Sequence, residues 1–222
     1  QSDRHRYREE ATRWVQDARG VELVEGAVTG LILEEIDGVL GVRGVRLEDG
    51  VELRAHATIL TTGTFLRAIM HTGERTASGG RVGERSADGL SGDVERLGLR
   101  LGRLKTGTPP RIDQRTVDFS VMEAQPGDEA PRPFSFLSDP MAFPSLPQVD
   151  CHITFTNERT HRIIAENVHR APMYNGSIGG VGPRYCPAVE DKIMRFPDRE
   201  RHQIFVEPEG LDTDVLYING LS

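Results

Sequence analysis

Cysteine is scarce in this sequence: Cys151 and Cys186 stand 35 positions apart, and no C-x-x-C occurs. That excludes a disulfide framework and suits a reducing compartment. The seven histidines show no H-x-x-x-H or similar spacing, so no structural metal site is expected. Long apolar runs are missing as well. The longest, such as ATILTTGTFL, are far too short to span a bilayer, and no basic segment followed by an apolar one opens the chain. Positive charge is in deficit, and the net charge of −7 argues against a general nucleic-acid coat. Neither the dinucleotide fingerprint G-x-G-x-x-G nor the phosphate loop G-x-x-x-x-G-K-[ST] appears.

What is present is enough for a core: 222 residues, of which 37% are hydrophobic. The opening QSDRHRYR and the closing YINGLS read as the interior of something longer. Residues 3–19 carry Tyr7, Ala11, Trp14, Val15 and Ala18 at near-helical spacing, predicting an amphipathic helix that ends at Gly20. Three β-rich segments follow, separated by the hairpin signals Asp37-Gly38 and Asp49-Gly50. The last of them, apolar on both faces at Ala57, Ile59 and Leu60, reads as a strand entering a buried parallel sheet before Thr61-Thr62-Gly63-Thr64. A helix followed by such a meander indicates an α/β protein.

Further along, Leu90, Val94 and Leu97 are spaced for one helix face, and residues 116–146 are loop-rich, with VDFSVM and RPFSFL as isolated strand candidates. CHITFTN alternates as a strand, ERTHRIIAENVHR reads as a helix with Ile163, Ile164 and Val168 inward, and HQIFVEPEG is another strand candidate.

Two local basic stretches stand against the acidic whole. Arg100, Arg103, Lys105, Arg111 and Arg115 fall within sixteen residues, and Arg159, His161, Arg162, His169 and Arg170 form the second. Each is either a solvated surface or a phosphate or tRNA contact. The run KTGTPPR is either a polar turn or, with Arg103, Lys105 and Arg111, the lining of an anionic ligand site.

The loop GVGPRYCPAVEDK carries the sharpest chemistry. Its glycines allow close approach of backbone to a ligand. Pro187 is suited to the first position of a short helix AVEDKIMRF, which puts Cys186 just before it. A thiol there meets the positive end of the helix, with Arg184 and Lys192 adding charge, and all three favour the nucleophilic thiolate. The competing reading is a packed, inert cysteine. For Cys151, inside a β-alternating run with no cation before Arg159, the inert reading holds.

SGGRVGERSADGLS, GLRLGRLKTGTPPRID, CHITFTNERTH, GVGPRYCPAVEDKIMRF and HQIFVEPEGL, in this order, resemble the flavin subunit of the tRNA wobble-uridine modification enzymes, the MnmG or GidA family. The resemblance covers essentially the whole chain. It implies part of a Rossmann-type FAD-binding domain with a β-meander (residues 1–70), an inserted α/β domain (71–173) and a return toward the flavin (174–222). It also implies a family glycine loop before this chain and a helical tRNA- and partner-binding region after it.

The implied activity uses FAD, NADH and methylene-tetrahydrofolate as carbon donor, with glycine or ammonium. It builds an aminomethyl or carboxymethylaminomethyl group on carbon 5 of the wobble uridine. The implied partners are tRNA, the GTPase MnmE and a second copy in a homodimer, in the bacterial cytoplasm or, in a eukaryote, the mitochondrion. Cys186 matches the family's catalytically important cysteine. Gly182, Pro183, Arg184, Tyr185, Pro187 and Lys192 fall in a segment associated with the nicotinamide dinucleotide. Val28 and Ala87 match flavin-contacting positions, Ala87 standing where the resemblance leads one to expect serine, and Gly63 and Thr64 are placed near the flavin by the strand they end. Two alternatives stand beside this reading: a folate- and FAD-dependent tRNA uridine methyltransferase, and a non-catalytic module that docks tRNA or a partner.

Overall fold

A computed structural model describes residues 2–180 and 188–221. In chain order its elements are α1 (Arg4–Asp17), β1 (Val28–Ile36), β2 (Val39–Leu47), β3 (Glu52–Arg54), β4 (Ile69–Thr72), β5 (Arg75–Ser78) and α2 (Leu90–Arg96). After these come β6 (Arg111–Asp113), β7 (Glu123–Gln125), β8 (Cys151–Phe155), α3 (Glu158–Asn167), α4 (Val189–Arg195), β9 (Gln203–Pro208) and β10 (Val215–Asn219). They divide into two compact units, one made of Glu22–Leu104 with His169–Val181, the other of Gln1–Val21, Lys105–Val168 and Gly182–Ser222.

In the first unit β1, β2 and β3 form an antiparallel meander. Its first turn follows from chemistry: Asp37 and Gly38 both take left-handed backbone (φ 53° and 78°), the conformation that a tight hairpin needs and that these residue types tolerate. At the second turn the Asp49 carboxylate accepts the Val51 N–H at 3.0 Å. Leu31 of β1 packs against Leu90 and Val94 of α2, with Val28, Leu33, Val42, Val45, Leu66 and Leu97 around them. The helix face expected from Leu90, Val94 and Leu97 is therefore the face that is used. β4 and β5 make a separate two-stranded hairpin.

The expected strand over Ala57–Leu60 does not form. No described residue pairs with it, Ile59 is 87% exposed, and no parallel sheet exists among the described residues. A buried strand needs neighbours on both edges to satisfy its backbone, and these described residues supply none.

The second unit is built on a five-stranded antiparallel sheet of order β6-β10-β9-β8-β7. Period-2 alternation buries Ile204 and Val206 of β9 and Leu216 and Ile218 of β10 on one face, against Val117, Phe119, Met122 and Leu221. Each of those four side chains contributes roughly 1.5–3 kcal/mol by leaving water. VDFSVM is not a strand: Phe119–Val121 is a 3-10 turn, nucleated by the Asp118 carboxylate accepting the Ser120 N–H at 3.0 Å. RPFSFL likewise stays irregular, with Phe134 and Phe136 fully exposed.

α1 is N-capped by Asp3, whose carboxylate accepts the Arg6 N–H at 2.9 Å, and it ends at Asp17, before Gly20. It buries none of its residues, and Trp14 is 69% exposed. α3 is capped by Asn157; Ile164 within it and Val168 just past its end are half-buried, but Ile163 is 52% exposed.

Candidate functional site

In the first unit the residues expected at the flavin gather around one short bridge. The Ala87 N–H donates to the Phe65 carbonyl at 2.8 Å, and the Ala87 carbonyl accepts the Arg67 N–H at 3.0 Å. Ser86 supports this bridge from the side, its hydroxyl accepting the Ala68 N–H at 2.8 Å and lying 2.6 Å from Asp88 Oδ1. Thr64 Oγ1 donates to the Gly80 carbonyl at 3.1 Å, just before the bridge. Val28 is half-buried against the Leu31–Leu90–Val94 cluster, next to Thr29, whose carbonyl touches the start of α2 at Gly89.

Thr64 and Ala87 are thus brought together beside Gly63, and Val28 lies where β1 meets the same segment. Both backbone polar groups of Ala87 are spent within the chain, so what it presents outward is its methyl group.

Beside this bridge opens a cleft of about 880 Å³. Arg67 and Arg103 supply its cations, Asp88 and Glu95 its carboxylates, and Leu66, Ile69 and Leu101 part of its apolar surface. The Arg103 guanidinium donates from Nη1 to the Arg67 carbonyl at 2.7 Å. Of the three residues expected at an anionic ligand, Arg103 alone belongs to this cleft.

Lys105 and Arg111 belong to the second unit. The Lys105 ammonium nitrogen is buried without a hydrogen-bond partner among the described residues. Arg111 is committed: its Nε donates to Glu209 at 2.9 Å, its Nη1 to the Pro109 carbonyl at 3.1 Å, and its guanidinium lies 4.7 Å from the centre of the Tyr217 ring. Glu209 is 5% exposed and also pairs with Arg4 at 2.8 Å, so Arg111 balances a buried carboxylate. Lys192 donates to the Gly220 carbonyl at 3.3 Å.

Cys186 lies outside the described residues, as do Gly182, Pro183, Arg184, Tyr185 and Pro187. The helix beyond them starts later than expected, at Val189 with Ala188 as its cap. Cys151 is half-buried in β8, and burial, then Glu207 and Asp150, push its thiol above the usual range.

One cluster had no sequence signal. Thr156, 6% exposed, places its hydroxyl 2.7 Å from His161 Nε2 and accepts the His202 N–H at 2.8 Å. The two imidazoles lie 5.3 Å apart, and His202 Nε2 is buried without a partner among the described residues. Burial first, then His161, Lys192 and Arg199, hold His202 below its ordinary pKa. Among the described residues no group of three or more His, Cys, Asp or Glu gathers to hold a metal, and no helix is long and apolar enough to cross a membrane.

The model of the family described as glucose inhibited division protein A matches residues 1–222. The chain belongs to that family. It is 47% identical over 222 residues to the tRNA uridine 5-carboxymethylaminomethyl modification enzyme MnmG of Protochlamydia amoebophila, covering all of this chain and 34% of that one. The enzyme of the same name from Geobacter sulfurreducens is 49% identical, with the same coverage of both chains. The structure of Aquifex aeolicus GidA in its form I crystal superposes with a TM-score of 0.88 at 46% identity, covering 100% of this chain and 37% of the other. The chain thus spans about a third of the length of the curated relatives it matches. Its mixed α/β fold is that of the GidA structures.

Against that family frame, the sequence motifs pointed to Ala87 and Arg103 but not to Arg67, Asp88 or Glu95. Asp88 lies within the SGGRVGERSADGLS motif without being singled out there, and the bridge between Leu66 and Ala87, with α2 carrying Glu95, brings the three to one cleft.

Proposed function

We propose that this chain forms part of an FAD- and NADH-dependent enzyme that modifies carbon 5 of the wobble uridine in tRNA. In this reading it acts as a homodimer with the GTPase MnmE, in the cytoplasm of a bacterium, and takes its carbon from methylene-tetrahydrofolate. The observation that carries the reading is identity of 47–49% across every residue of the chain to enzymes named for that modification.

The residues present fit a flavin as a wall rather than as a set of donors. Val28, Gly63 and Ala87 carry no polar side chain, the Ala87 amide is spent, and the Thr64 hydroxyl is turned to Gly80. Such a surface suits the face of a planar ring system. Bound there, the flavin would supply redox chemistry, with the nicotinamide nucleotide as its source of reducing equivalents.

The chain's own contribution to bond making is Cys186. Carbon 5 of uridine is a weak nucleophile until a group adds at carbon 6 or charge is withdrawn from the ring. A thiolate beside the base meets that need either by adding to the ring or by moving a proton. Arg184 and Tyr185 stand next to it in sequence, where a cation favours the thiolate.

The test is Cys186→Ser in the full-length protein, assayed for wobble-uridine modification with MnmE, NADH and methylene-tetrahydrofolate. Loss of product with bound flavin and tRNA affinity unchanged is the expected result. Unchanged product formation would remove Cys186 from the chemistry, and a wild-type product of 5-methyluridine outside the anticodon would favour the methyltransferase reading.

A further inference from the structure

The run KTGTPPR holds a charge that the roles assigned so far leave unused. Lys105 is half-buried as a whole, but its ammonium nitrogen is closed to solvent and meets no acceptor among the described residues. Burying a cation without a partner is strongly unfavourable. Other cations of the same unit are provided for: Arg4 and Arg111 share Glu209, Arg115 lies against Asp113 and Asp214, and Lys192 donates to the Gly220 carbonyl. Those pairs use the carboxylates on β6 and at the turn between β9 and β10. The run 181–187, VGPRYCP, has no Asp or Glu in its sequence.

The position of this charge along the chain ties it to the chemistry. Gly180 opens the run GVGPRYCP that carries Cys186, and it packs on the backbone of Arg103. A β-carbon there would sit 2.8 Å from the Arg103 carbonyl oxygen. Lys105 follows Arg103 by two residues.

From this arrangement we infer that Lys105 receives the carboxylate of the small amino acid that supplies nitrogen to the modified uridine, and so selects that amine over amines without a carboxylate. The inference rests on the tRNA-modification reading. The group for which the relatives are named, carboxymethylaminomethyl, ends in a carboxylate one carbon away from its nitrogen. The amine that brings in this end is an α-amino acid without a side chain, glycine. Its carboxylate forms a charge-assisted pair with the enclosed ammonium and removes the penalty of leaving that cation unpaired. An amine that has no carboxylate leaves the penalty in place, and a site built around a buried polar group rejects such an analogue. A tRNA phosphate is the poorer match, because it stays at the surface of the RNA while the Lys105 nitrogen is enclosed. Lys105 forms no covalent bond in this role.

The test uses the full-length parent protein with bound flavin, together with MnmE and tRNA, and varies the amine among glycine, glycinamide and ammonium. Lys105→Met keeps the length of the side chain and exchanges a buried charge for an apolar group, so it should hold flavin as the parent does. Lys105→Gln is the second variant should the first lose flavin. The KM for glycine is expected to rise roughly tenfold to a hundredfold, against a change of less than about threefold for ammonium. The preference of the parent for glycine over glycinamide, whose carboxamide is uncharged, should collapse in the variant. An unchanged glycine KM, or equal use of glycine and glycinamide by the parent, would overturn the inference and leave the tRNA-modification reading standing. Loss of product from glycine and ammonium alike, with flavin retained, would also overturn it, because the charge would then serve a step common to both. Product from neither amine in the parent would bring down the reading itself, and the inference with it.

Discussion

Gly89 and Gly92 stand three residues apart at the start of α2, and alanine at the two positions has opposite consequences. A β-carbon on Gly89 would sit 1.9 Å from the Thr29 carbonyl oxygen, about 1.5 Å short of the 3.4 Å of ordinary contact. The obstacle is backbone, so no side chain can rotate out of the way. The helix must lift from β1. That movement pulls the Asp93 carboxylate off the Leu31 N–H, now 2.8 Å apart, and opens the Leu31–Leu90–Val94 cluster. Losing a hydrogen bond to a charged group costs about 1.5–3 kcal/mol, and a strained core costs roughly 1–3 more. Gly89→Ala should therefore destabilise the first unit by about 3 kcal/mol or more.

At Gly92 nothing lies within 4 Å of the β-carbon position, and the residue is inside the helix. Gly92→Ala should stabilise the unit by about 0.5–1 kcal/mol through helix propensity and a less flexible unfolded chain. The decisive assay is hydrogen exchange of the Leu31 amide, which reports this unit without averaging over the other. Exchange should accelerate by roughly a hundredfold or more in Gly89→Ala and slow by about twofold to fivefold in Gly92→Ala. Leu31 exchange within about threefold of the parent in Gly89→Ala, or acceleration in Gly92→Ala, would refute the packing argument.

Two further outcomes follow from the titratable groups. His202 is held below its ordinary 6.5 by burial first and then by His161, Lys192 and Arg199, so the unfolded chain takes up this proton before the folded one does. Its contribution is therefore present above about pH 6.5 and lost as pH falls through that value, and denaturant midpoints should drop between about pH 7.5 and about pH 5.5. His202→Gln should flatten that dependence; an unchanged slope would count against it. Cys151, whose thiol is pushed up by burial and by Glu207 and Asp150, should be alkylated several-fold more slowly at neutral pH than Cys186, compared in single Cys→Ser variants. Equal rates would remove the case for Cys186 as the reactive thiol.

Elements specified by local chemistry were legible in the sequence. Asp3 and Asn157 cap the helices that their neighbours suggest, and Asp37-Gly38 makes the hairpin its composition demands. The apolar period of Leu90, Val94 and Leu97 selects the buried face of α2. Features that depend on distant partners were not legible. Ala57–Leu60 has the composition of a buried strand but no described neighbour, whereas Val215–Asn219 pairs on both sides, with β9 and β6, and becomes an interior strand. Asp118 diverts VDFSVM into a turn by a side-chain bond that β-propensity ignores. At the site the limit is the same: Arg111 reads as a free cation in KTGTPPR, yet its partner Glu209 lies 98 positions away. The Thr156–His161–His202 cluster exists only because β8 and β9 are neighbours.

The docking of α1 carries a mechanical consequence. Its ties to the rest of its unit gather at the first turn: the Arg4 N–H on the Glu209 carbonyl, the Arg4 guanidinium on the Glu209 carboxylate, and the Leu211 N–H on the Asp3 carboxylate at 2.8 Å. Among the described residues the remaining turns hold no fully buried side chain, Glu10 and Ala11 being half-buried. The helix is thus a lever with its pivot at one end, and a small rotation of the 209–211 turn is magnified along its length. The single tryptophan of the chain, Trp14, lies ten residues beyond Arg4, about 15 Å out along the axis. Its emission will register the swing of that lever without any added label.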